Sequence, residues 1–154
     1  MNDVQSEHRG SCFCGAVEVT VAGPPMAAGY CHCHSCRKWH AAPVNAWSGW
    51  SKDNVKITGK TLPAERTGKC KRVCCTQCGG GVANEIPDLG MIVVYPMTLA
   101  DSDFTFEPGM HIFYDERVMD LNDGLPKFAD VPESHGGSGK MISEDGHTGW
   151  RTSD

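Results

Sequence analysis

The chain has 154 residues, nine cysteines and a formal net charge of −5. That length suits a single domain with a hydrophobic core of its own. The cysteine fraction is below the roughly 8–10% that marks a small disulfide scaffold, and an odd number would leave one thiol unpaired. The negative charge argues against a nucleic acid or an anionic membrane as a partner held by bulk electrostatics.

No stretch of the sequence resembles a membrane-spanning or secretory segment. Residues 1–10 are polar, and the longest apolar run, residues 91–97, is interrupted by Pro96. A spanning helix needs about 20 apolar residues. We therefore expect a cytoplasmic protein, in which thiols stay reduced and clustered cysteines bind metal or take part in chemistry.

Short strands are predicted along most of the chain. Residues 16–21 place valines at every second position, which is the period of a half-buried strand. A helical turn is predicted only at residues 35–39. Because no window has a sustained helical period, the sequence predicts an all-β fold with little helix. Further strands are predicted at residues 43–47 and 55–58, separated by a turn at 49–54, and at residues 69–75, 82–86, 91–95 and 110–114.

The composition divides the chain into three parts. Residues 1–9 form a polar lead, residues 10–132 contain all nine cysteines, and residues 133–154 form a polar tail rich in glycine and serine. The tail has few apolar residues, so we expect it to lie on the surface or to be mobile, with Trp150 as its candidate anchor.

Seven cysteines fall into three clusters with metal-ligand spacing. The segments are G-S-C-F-C-G at residues 10–15, C-H-C-H-S-C at residues 31–36 and C-T-Q-C-G at residues 75–79. Residues two apart on an extended segment face the same way, and two thiolates in a tight turn can hold one ion. These spacings indicate zinc. Buried free thiols would have no reason to cluster in this way, and a redox role for Cys75 and Cys78 lacks a thioredoxin-like helix.

Counting the ligands separates a closed site from an open one. Four thiols complete a tetrahedral structural zinc site: Cys12, Cys14, Cys75 and Cys78. Three thiols leave one position free, as in catalytic zinc sites: Cys31, Cys33 and Cys36. A histidine could close the second site instead, although alternation turns the first two candidates away from the neighbouring cysteines: His32, His34 and the distant His111.

Cys70 and Cys74 have no place in these clusters. Cys74 adjoins Cys75 and faces the opposite side of a strand, and the turn glycine Gly79 favours Cys75 as the ligand. We predict that Cys70 and Cys74 are packing thiols, with a regulatory role as the alternative.

The three motifs resemble the pattern of the glutathione-dependent formaldehyde-activating enzyme family, whose domain also occurs in centromere protein V. The family pattern is G-x-C-x-C-G, then C-H-C-x-x-C, then C-x-x-C-G. Residues 108–113 and 123–128 look like its P-x-x-H-I and G-L-P-x-F/Y segments. The match runs from Gly10 to Pro132 and departs from the family at Cys74, where an aromatic residue is common. The resemblance implies an Mss4-like fold, with small antiparallel sheets around zinc sites.

The resemblance also implies an activity. The family adds glutathione to formaldehyde to give S-hydroxymethylglutathione, and the enzyme is classed as a carbon–sulfur lyase for the reverse reaction. Two zinc ions per chain and glutathione as co-substrate are therefore expected. The family's structural ligands correspond to Cys12, Cys14, Cys75 and Cys78, and its catalytic ligands to Cys31, Cys33 and Cys36.

The chemistry of a three-thiolate site favours the same activity. Such a site is a poor Lewis acid toward water and suits a soft ligand, such as a substrate thiol that then attacks a small aldehyde. His32 and His34 are candidate donors or proton-transfer groups, or else orient the ligands or are merely exposed. Arg37 and Lys38 are candidates for binding a glutathione carboxylate, or form a solvated basic pair. Three tryptophans are candidates for pocket walls or for the core: Trp39, Trp47 and Trp50.

The alternative function is a non-catalytic zinc module that binds a protein partner, as other Mss4-like domains do. A nucleic-acid or chromatin role gains no support from the net negative charge. The expected partners are thus a small-molecule thiol and an aldehyde, with no nucleic acid and no membrane, and the oligomeric state stays open.

Overall fold

The computed structural model describes residues 5–152, which form two compact units. The first unit comprises Trp47–Phe106 and the described residues up to Ala27. The second comprises Ala28–Ala46 and the described residues from Glu107 onward. Each unit contains one group of cysteines whose sulfur atoms lie close together.

Strands account for most of the regular structure. The single α-helix of the described residues is α1 (His34–His40), and none of their helices has the length and apolar character needed to cross a membrane. Short 3-10 helices occur at Lys52–Asn54, Pro87–Leu89, Pro96–Leu99, Tyr114–Glu116 and Glu133–His135. The strands in chain order are β1 (Glu7–Ser11), β2 (Glu18–Ala22), β3 (Ala27–Cys31), β4 (Asn45–Ser51), β5 (Val55–Thr58), β6 (Thr61–Glu65), β7 (Lys71–Cys75), β8 (Gly81–Ile86), β9 (Met91–Val94), β10 (His111–Ile112), β11 (Met119–Asp120) and β12 (Gly149–Trp150).

The first unit contains two antiparallel arrangements of strands. β1, β2 and β5 form a three-stranded sheet, in which Val19 of β2 lies opposite Gly10 and Ile57. The part of β4 from Trp47 onward is followed by β9, β8, β7 and β6 in a second arrangement, with a register shift between Val73 and Cys74. The turn after β1 carries Cys12 and Cys14, while Cys75 ends β7 and Cys78 lies in the turn after it.

The alternation of β2 buries one side of that strand in the core of the first unit. Val19 and Val21 are fully buried, whereas Glu18 is exposed. The indole N–H of Trp50 donates to the carbonyl of Gly23 at 3.0 Å, so the polar group of this buried ring is paired. The other members of the cluster are Val94 and Leu99.

A close backbone contact explains the first glycine of the 10–15 motif. A Cβ atom on Gly10 would lie 1.9 Å from the carbonyl oxygen of Thr98. No side chain fits at that distance, so β1 can approach the 3-10 helix at residues 96–99 only with glycine at this position.

The second unit carries the three-cysteine segment between β3 and α1. β3 and β10 form a parallel pair, with Tyr30 opposite His111. α1 follows Cys33, whose Sγ accepts a hydrogen bond from the backbone N–H of Cys36 at 3.2 Å and so caps the helix. The helix ends at Ala41, which adopts a left-handed conformation with φ of 50°.

Residues 149–151 are attached to the rest of the second unit by backbone and side-chain contacts. Met119 of β11 pairs with Trp150 of β12, and the N–H of Arg151 donates to the carbonyl of Val118 at 2.9 Å. The buried carboxylate of Asp120 interacts with the Arg151 guanidinium at 3.1 Å. Trp150 contributes its backbone to this anchor, while its ring stays 66% exposed.

The structure confirms the all-β fold class and the short helix near residues 35–39. Residues 49–51 belong to β4 rather than to the expected turn, because they pair with β9, with Gly49 opposite Val93 and Ser51 opposite Met91. Glycine at position 49 leaves room for the Met91 side chain, whose Sδ would lie 2.6 Å from a Cβ there. β1 begins at Glu7, inside the predicted polar lead, and β6 was not predicted. The strand predicted at residues 110–114 is reduced to His111–Ile112.

Candidate metal centres

Four cysteine sulfurs meet in the first unit. Cys14 Sγ lies 3.7 Å from Cys12 Sγ and 3.8 Å from Cys75 Sγ, and with Cys78 all four sulfurs lie within 4.8 Å of one another. Tetrahedral zinc with bonds of about 2.3 Å places its sulfurs about 3.8 Å apart. The donor set therefore fits a closed tetrahedral zinc site.

Backbone N–H groups point at the sulfurs of this cluster. Cys12 Sγ accepts from Val17 N–H, and Cys75 Sγ accepts from Gln77 N–H, both at 3.3 Å. Gly80 N–H donates to Cys78 Sγ at 3.3 Å, which lowers the pKa of that thiol. These donors stabilise thiolates, the form that binds metal. Gly79, with φ of +74°, provides the left-handed turn that presents the last donor.

Three further sulfurs meet in the second unit. Cys31 ends β3, Cys33 caps α1 and Cys36 lies in its first turn, and their sulfurs lie within 4.8 Å of one another. Among residues 5–152, no histidine or carboxylate completes this group as a fourth ligand. Cys31 is buried, whereas Cys33 and Cys36 are partly exposed, so the cluster has a solvent-facing side.

The proximity of these thiols favours a cation among them. The pKa of Cys31 is raised well above its usual value because the Cys33 and Cys36 thiols lie beside it and because it is buried. Three thiolates so close together need a positive charge to offset their repulsion. The donor set thus fits zinc with one position left open.

The backbone of the three-cysteine loop is held from several directions. His32 N–H donates to the carbonyl of Ile112 at 3.1 Å, and the carbonyl of His32 accepts from Arg37 Nε at 3.0 Å. His34 N–H donates to the Glu116 carboxylate at 2.7 Å. Arg37 therefore has a structural role in this loop in addition to any role in binding a ligand.

The His32 ring is fully buried in a polar network that sequence reasoning missed. Its Nε2 lies 2.8 Å from His111 Nδ1, and His111 Nε2 lies 2.8 Å from Asp123. Lys127, 1% exposed, is ion-paired with Asp123 at 2.9 Å and with Glu144. The only signals in the sequence were the histidine of the P-x-x-H-I segment and a lysine within G-L-P-K-F, and neither pattern reveals burial or pairing.

Both imidazoles of this network are neutral at neutral pH. Burial lowers the pKa of His32 to about 3, and the neighbouring His111 adds to the effect. Burial also lowers the pKa of His111, although Asp123 opposes that shift. Neither ring carries the charge that a cationic proton donor would need.

The remaining predicted residues line a cleft of about 430 Å³ in the second unit. His34, Arg37 and Lys38 form its polar side, which contains no carboxylate. Positions 36 and 38 of a helix point to nearly opposite sides, so Cys36 and Lys38 project from different faces of α1.

The tryptophan at this cleft is Trp150, whereas Trp47 and Trp50 are buried and Trp39 is not among the lining residues. The apolar side consists of Ala41, Ala42, Pro43, Val118 and Trp150.

Cys74 lies outside both clusters, as predicted. It is buried, and its thiol donates to the carbonyl of Leu62 at 3.5 Å. Cys70 is partly buried and also belongs to neither cluster. The packing role of both thiols stays a prediction.

Comparison with known proteins shows which family and which proteins the sequence resembles. The sequence model of the family described as glutathione-dependent formaldehyde-activating enzyme matches residues 7–116. A Schizosaccharomyces pombe protein named as an uncharacterized lyase is 27% identical over 73 residues, which are 47% of this chain and 53% of that protein. The chain thus spans about half the length of this curated relative.

A crystal structure of a Rhodobacter sphaeroides protein has a similar fold. It matches with a TM-score of 0.51 and 19% sequence identity, over 60% of this chain and 88% of that one. The small sheets and cysteine clusters agree with the Mss4-like fold. The family match covers most of the sequence and all seven clustered cysteines, and the chain belongs to the glutathione-dependent formaldehyde-activating enzyme family.

Proposed function

We propose that the chain is a zinc-dependent enzyme of the carbon–sulfur lyase type, which adds a thiol, glutathione or a similar one, to formaldehyde or another small aldehyde. The observation that carries this proposal is the contrast between two cysteine clusters, one with four sulfurs and one with three and no fourth protein ligand in residues 5–152. The family match and the lyase name of the yeast relative support the reaction class. We assign two zinc ions per chain, one to each cluster.

The reaction is a balanced addition. The thiol sulfur forms a bond to the aldehyde carbon, the carbonyl π electrons move to oxygen, and the thiol proton ends on that oxygen as a hydroxyl. No oxidant or reductant is consumed. Zinc, when bound by Cys31, Cys33 and Cys36, would lower the pKa of a thiol in its open position and hold it as the nucleophile.

The residues of the loop divide between support and contact. His32 is buried and neutral, so we assign it to orienting the loop rather than to donating a proton. His34 is exposed at the cleft, and we retain it as the candidate donor to the developing oxyanion. Because Lys38 lies on the other face of α1 from Cys36, only a long thiol such as glutathione can contact both regions. We assign a glutathione carboxylate to Lys38 and Arg37.

Exchange of isotope-labelled formaldehyde into the thiol adduct tests this proposal. We expect the zinc-loaded protein to accelerate exchange above the spontaneous rate with glutathione, and Cys33→Ser to abolish the acceleration. Cys74→Ser, which changes a buried thiol outside both clusters, is the matched control and should retain the activity. Lys38→Met should weaken the response to glutathione and leave the response to 2-mercaptoethanol unchanged. No acceleration with any thiol would contradict the proposal.

The alternative is a non-catalytic zinc module that binds a protein. The observation in its favour is Phe13, whose side chain is 96% exposed between two cysteines of the closed cluster. If the chain is such a module, neither zinc ion should respond to an added thiol. If the chain is an enzyme, the added thiol should bind to one of the two ions. Zinc release measured with and without glutathione separates the two. A cytoplasmic location stays a prediction.

A further inference from the structure

A line of polar side chains leads from the C-terminal segment to the three-cysteine loop. Its first three members, Glu144, Lys127 and Asp123, lie beyond residues 7–116, the part of the chain that the family's sequence model matches. We propose that Glu144, Lys127, Asp123 and His111 act as a positioning chain, which orients the His32 ring and thereby holds the Cys31–Cys36 loop in its metal-binding geometry. This inference rests on the proposed use of the three-cysteine cluster as a zinc site.

Lys127 fixes the outer part of the chain. Its ammonium has three hydrogens and three acceptors: Asp123 Oδ1 at 2.9 Å, the carbonyl of Leu125 at 3.0 Å, and Glu144. A buried ammonium is stable only with such pairing. Because Lys127 and the N–H of Leu125 both donate to Oδ1 of Asp123, the other carboxylate oxygen faces His111.

The carboxylate then determines where the ring hydrogens lie. An ionised Asp123 can only accept, so His111 Nε2 donates to it across 2.8 Å. The neutral His111 ring has one N–H, and its Nδ1 therefore accepts from His32 Nε2, also across 2.8 Å. His32 Nδ1 is left as a lone-pair nitrogen, and it is buried without a hydrogen-bond partner in the described part of the chain.

The oriented ring holds the loop from behind. His32 is fixed at its N–H, at its carbonyl and at its ring, by Ile112, Arg37 and His111 respectively. Neighbouring residues of an extended segment face opposite sides. Anchoring the His32 ring in the interior therefore turns the thiols of Cys31 and Cys33 toward the other side, where Cys36 completes the cluster.

The variant Asp123→Asn tests this chain in the zinc-loaded protein. The amide oxygen of the asparagine takes the place of Oδ1 and accepts from Lys127 and from the N–H of Leu125. Its NH2 group then faces Nε2 of His111. We expect both imidazoles to change from the Nε2–H to the Nδ1–H tautomer, which long-range 1H–15N spectra of the rings detect. Zinc affinity at the three-cysteine site should fall roughly 10- to 100-fold, with the four-cysteine site unchanged, in competition with a chromophoric chelator.

Asp115→Asn is the matched control, because it neutralises an exposed carboxylate of the same unit and should change neither tautomer nor affinity. Glu144→Gln leaves Asp123 as an acceptor, so each hydrogen bond between Asp123, His111 and His32 keeps its direction. We therefore expect unchanged tautomers, together with a several-fold loss of zinc affinity. A proton on His32 Nδ1 in the unaltered protein would overturn the proposal. So would unchanged zinc affinity in both Asp123→Asn and Glu144→Gln. The ring tautomers and the zinc affinity can both be measured without catalysis, so this test remains valid even if the protein does not catalyse the proposed reaction.

Discussion

The sulfur atoms of Cys14 and Cys75 lie 3.8 Å apart although 61 positions separate them in the chain. Cys14 belongs to the turn between β1 and β2, and Cys75 ends β7, so one ion between them joins the two strand arrangements of the first unit. The energy of metal binding at such a cross-link is energy of folding.

Loss of a ligand from this cluster should therefore unfold the first unit more easily. For Cys75→Ser we expect one zinc ion fewer per chain and a melting temperature lower by roughly 10 °C or more, because a structural ligand is removed. Zinc content and thermal unfolding measure the two effects. Cys74→Ser, the neighbouring thiol outside the cluster, should keep both ions; if it matched Cys75→Ser, Cys75 would not be the ligand.

Loss of a ligand from the other cluster should spare the fold. In Cys33→Ser the serine oxygen can still accept the N–H of Cys36 and cap α1, so the helix is retained. We expect one zinc ion to be lost and the melting temperature to fall by only about 2–4 °C, the effect of about 1 kcal/mol in a chain of this size. Equal losses of stability in Cys33→Ser and Cys75→Ser would contradict the division into an open and a closed site.

Close packing behind the three-cysteine loop gives a steric prediction. A Cβ on Gly29 of β3 would lie 2.2 Å from the carbonyl oxygen of Met110, next to β10, whereas a Cβ on Gly109 would have no neighbour closer than 3.7 Å. We expect Gly29→Ala to cost about 1–3 kcal/mol in urea unfolding and to weaken zinc binding at the second site. Gly109→Ala should be close to neutral, and equal effects of the two variants would contradict this account.

Asp120 gives a prediction for pH dependence. Burial opposes ionisation of its carboxyl, but hydrogen bonds from Arg117 and His147 outweigh burial and lower the pKa to about 2. A folded-state pKa below the unfolded one stabilises the fold above the unfolded pKa of about 4, and this stabilisation is lost as the pH falls through about 2.

The matching measurement is the urea midpoint of Asp120→Asn against the unaltered chain. We expect the variant to be less stable at neutral pH, with a difference that stays constant between about pH 8 and about pH 5. Asp115→Asn should show no such difference, since that carboxylate is exposed. A difference that vanished already between pH 7 and pH 5 would assign the effect to another group.

The cysteine spacing predicted the pair Cys12 and Cys14, the pair Cys75 and Cys78 and the triple because these contacts are local, whereas the union of the two pairs came from counting ligands and from the family resemblance. Cys12 and Cys14, or Cys31, Cys33 and Cys36, approach one another through a few bonds of chain, and the structure brings together the same two groups. The alternation of β2 was equally visible, because burial on one side of a strand leaves a period of two.

The sequence did not reveal features that depend on distant contacts. β6, T-L-P-A-E, has little apolar alternation and is a strand because it pairs with β7 along its whole length. The burial of Lys127 was not predicted, because it depends on the fold, which also brings Glu144, 17 positions away, to its ammonium. A fully buried lysine is rare, so neither composition nor spacing predicts one.

That lysine also determines how short the protein can be. A polypeptide ending at Pro132 would retain every cysteine and every recognisable motif, yet it would lack Glu144 and leave a buried ammonium with Asp123 as its only carboxylate. The shortest polypeptide that folds on its own is therefore longer than the stretch that contains the cysteines and the recognisable motifs. Its C-terminal boundary must include Glu144, which pairs with the buried ammonium of Lys127. Removing the tail would therefore destabilise the interior of the second unit.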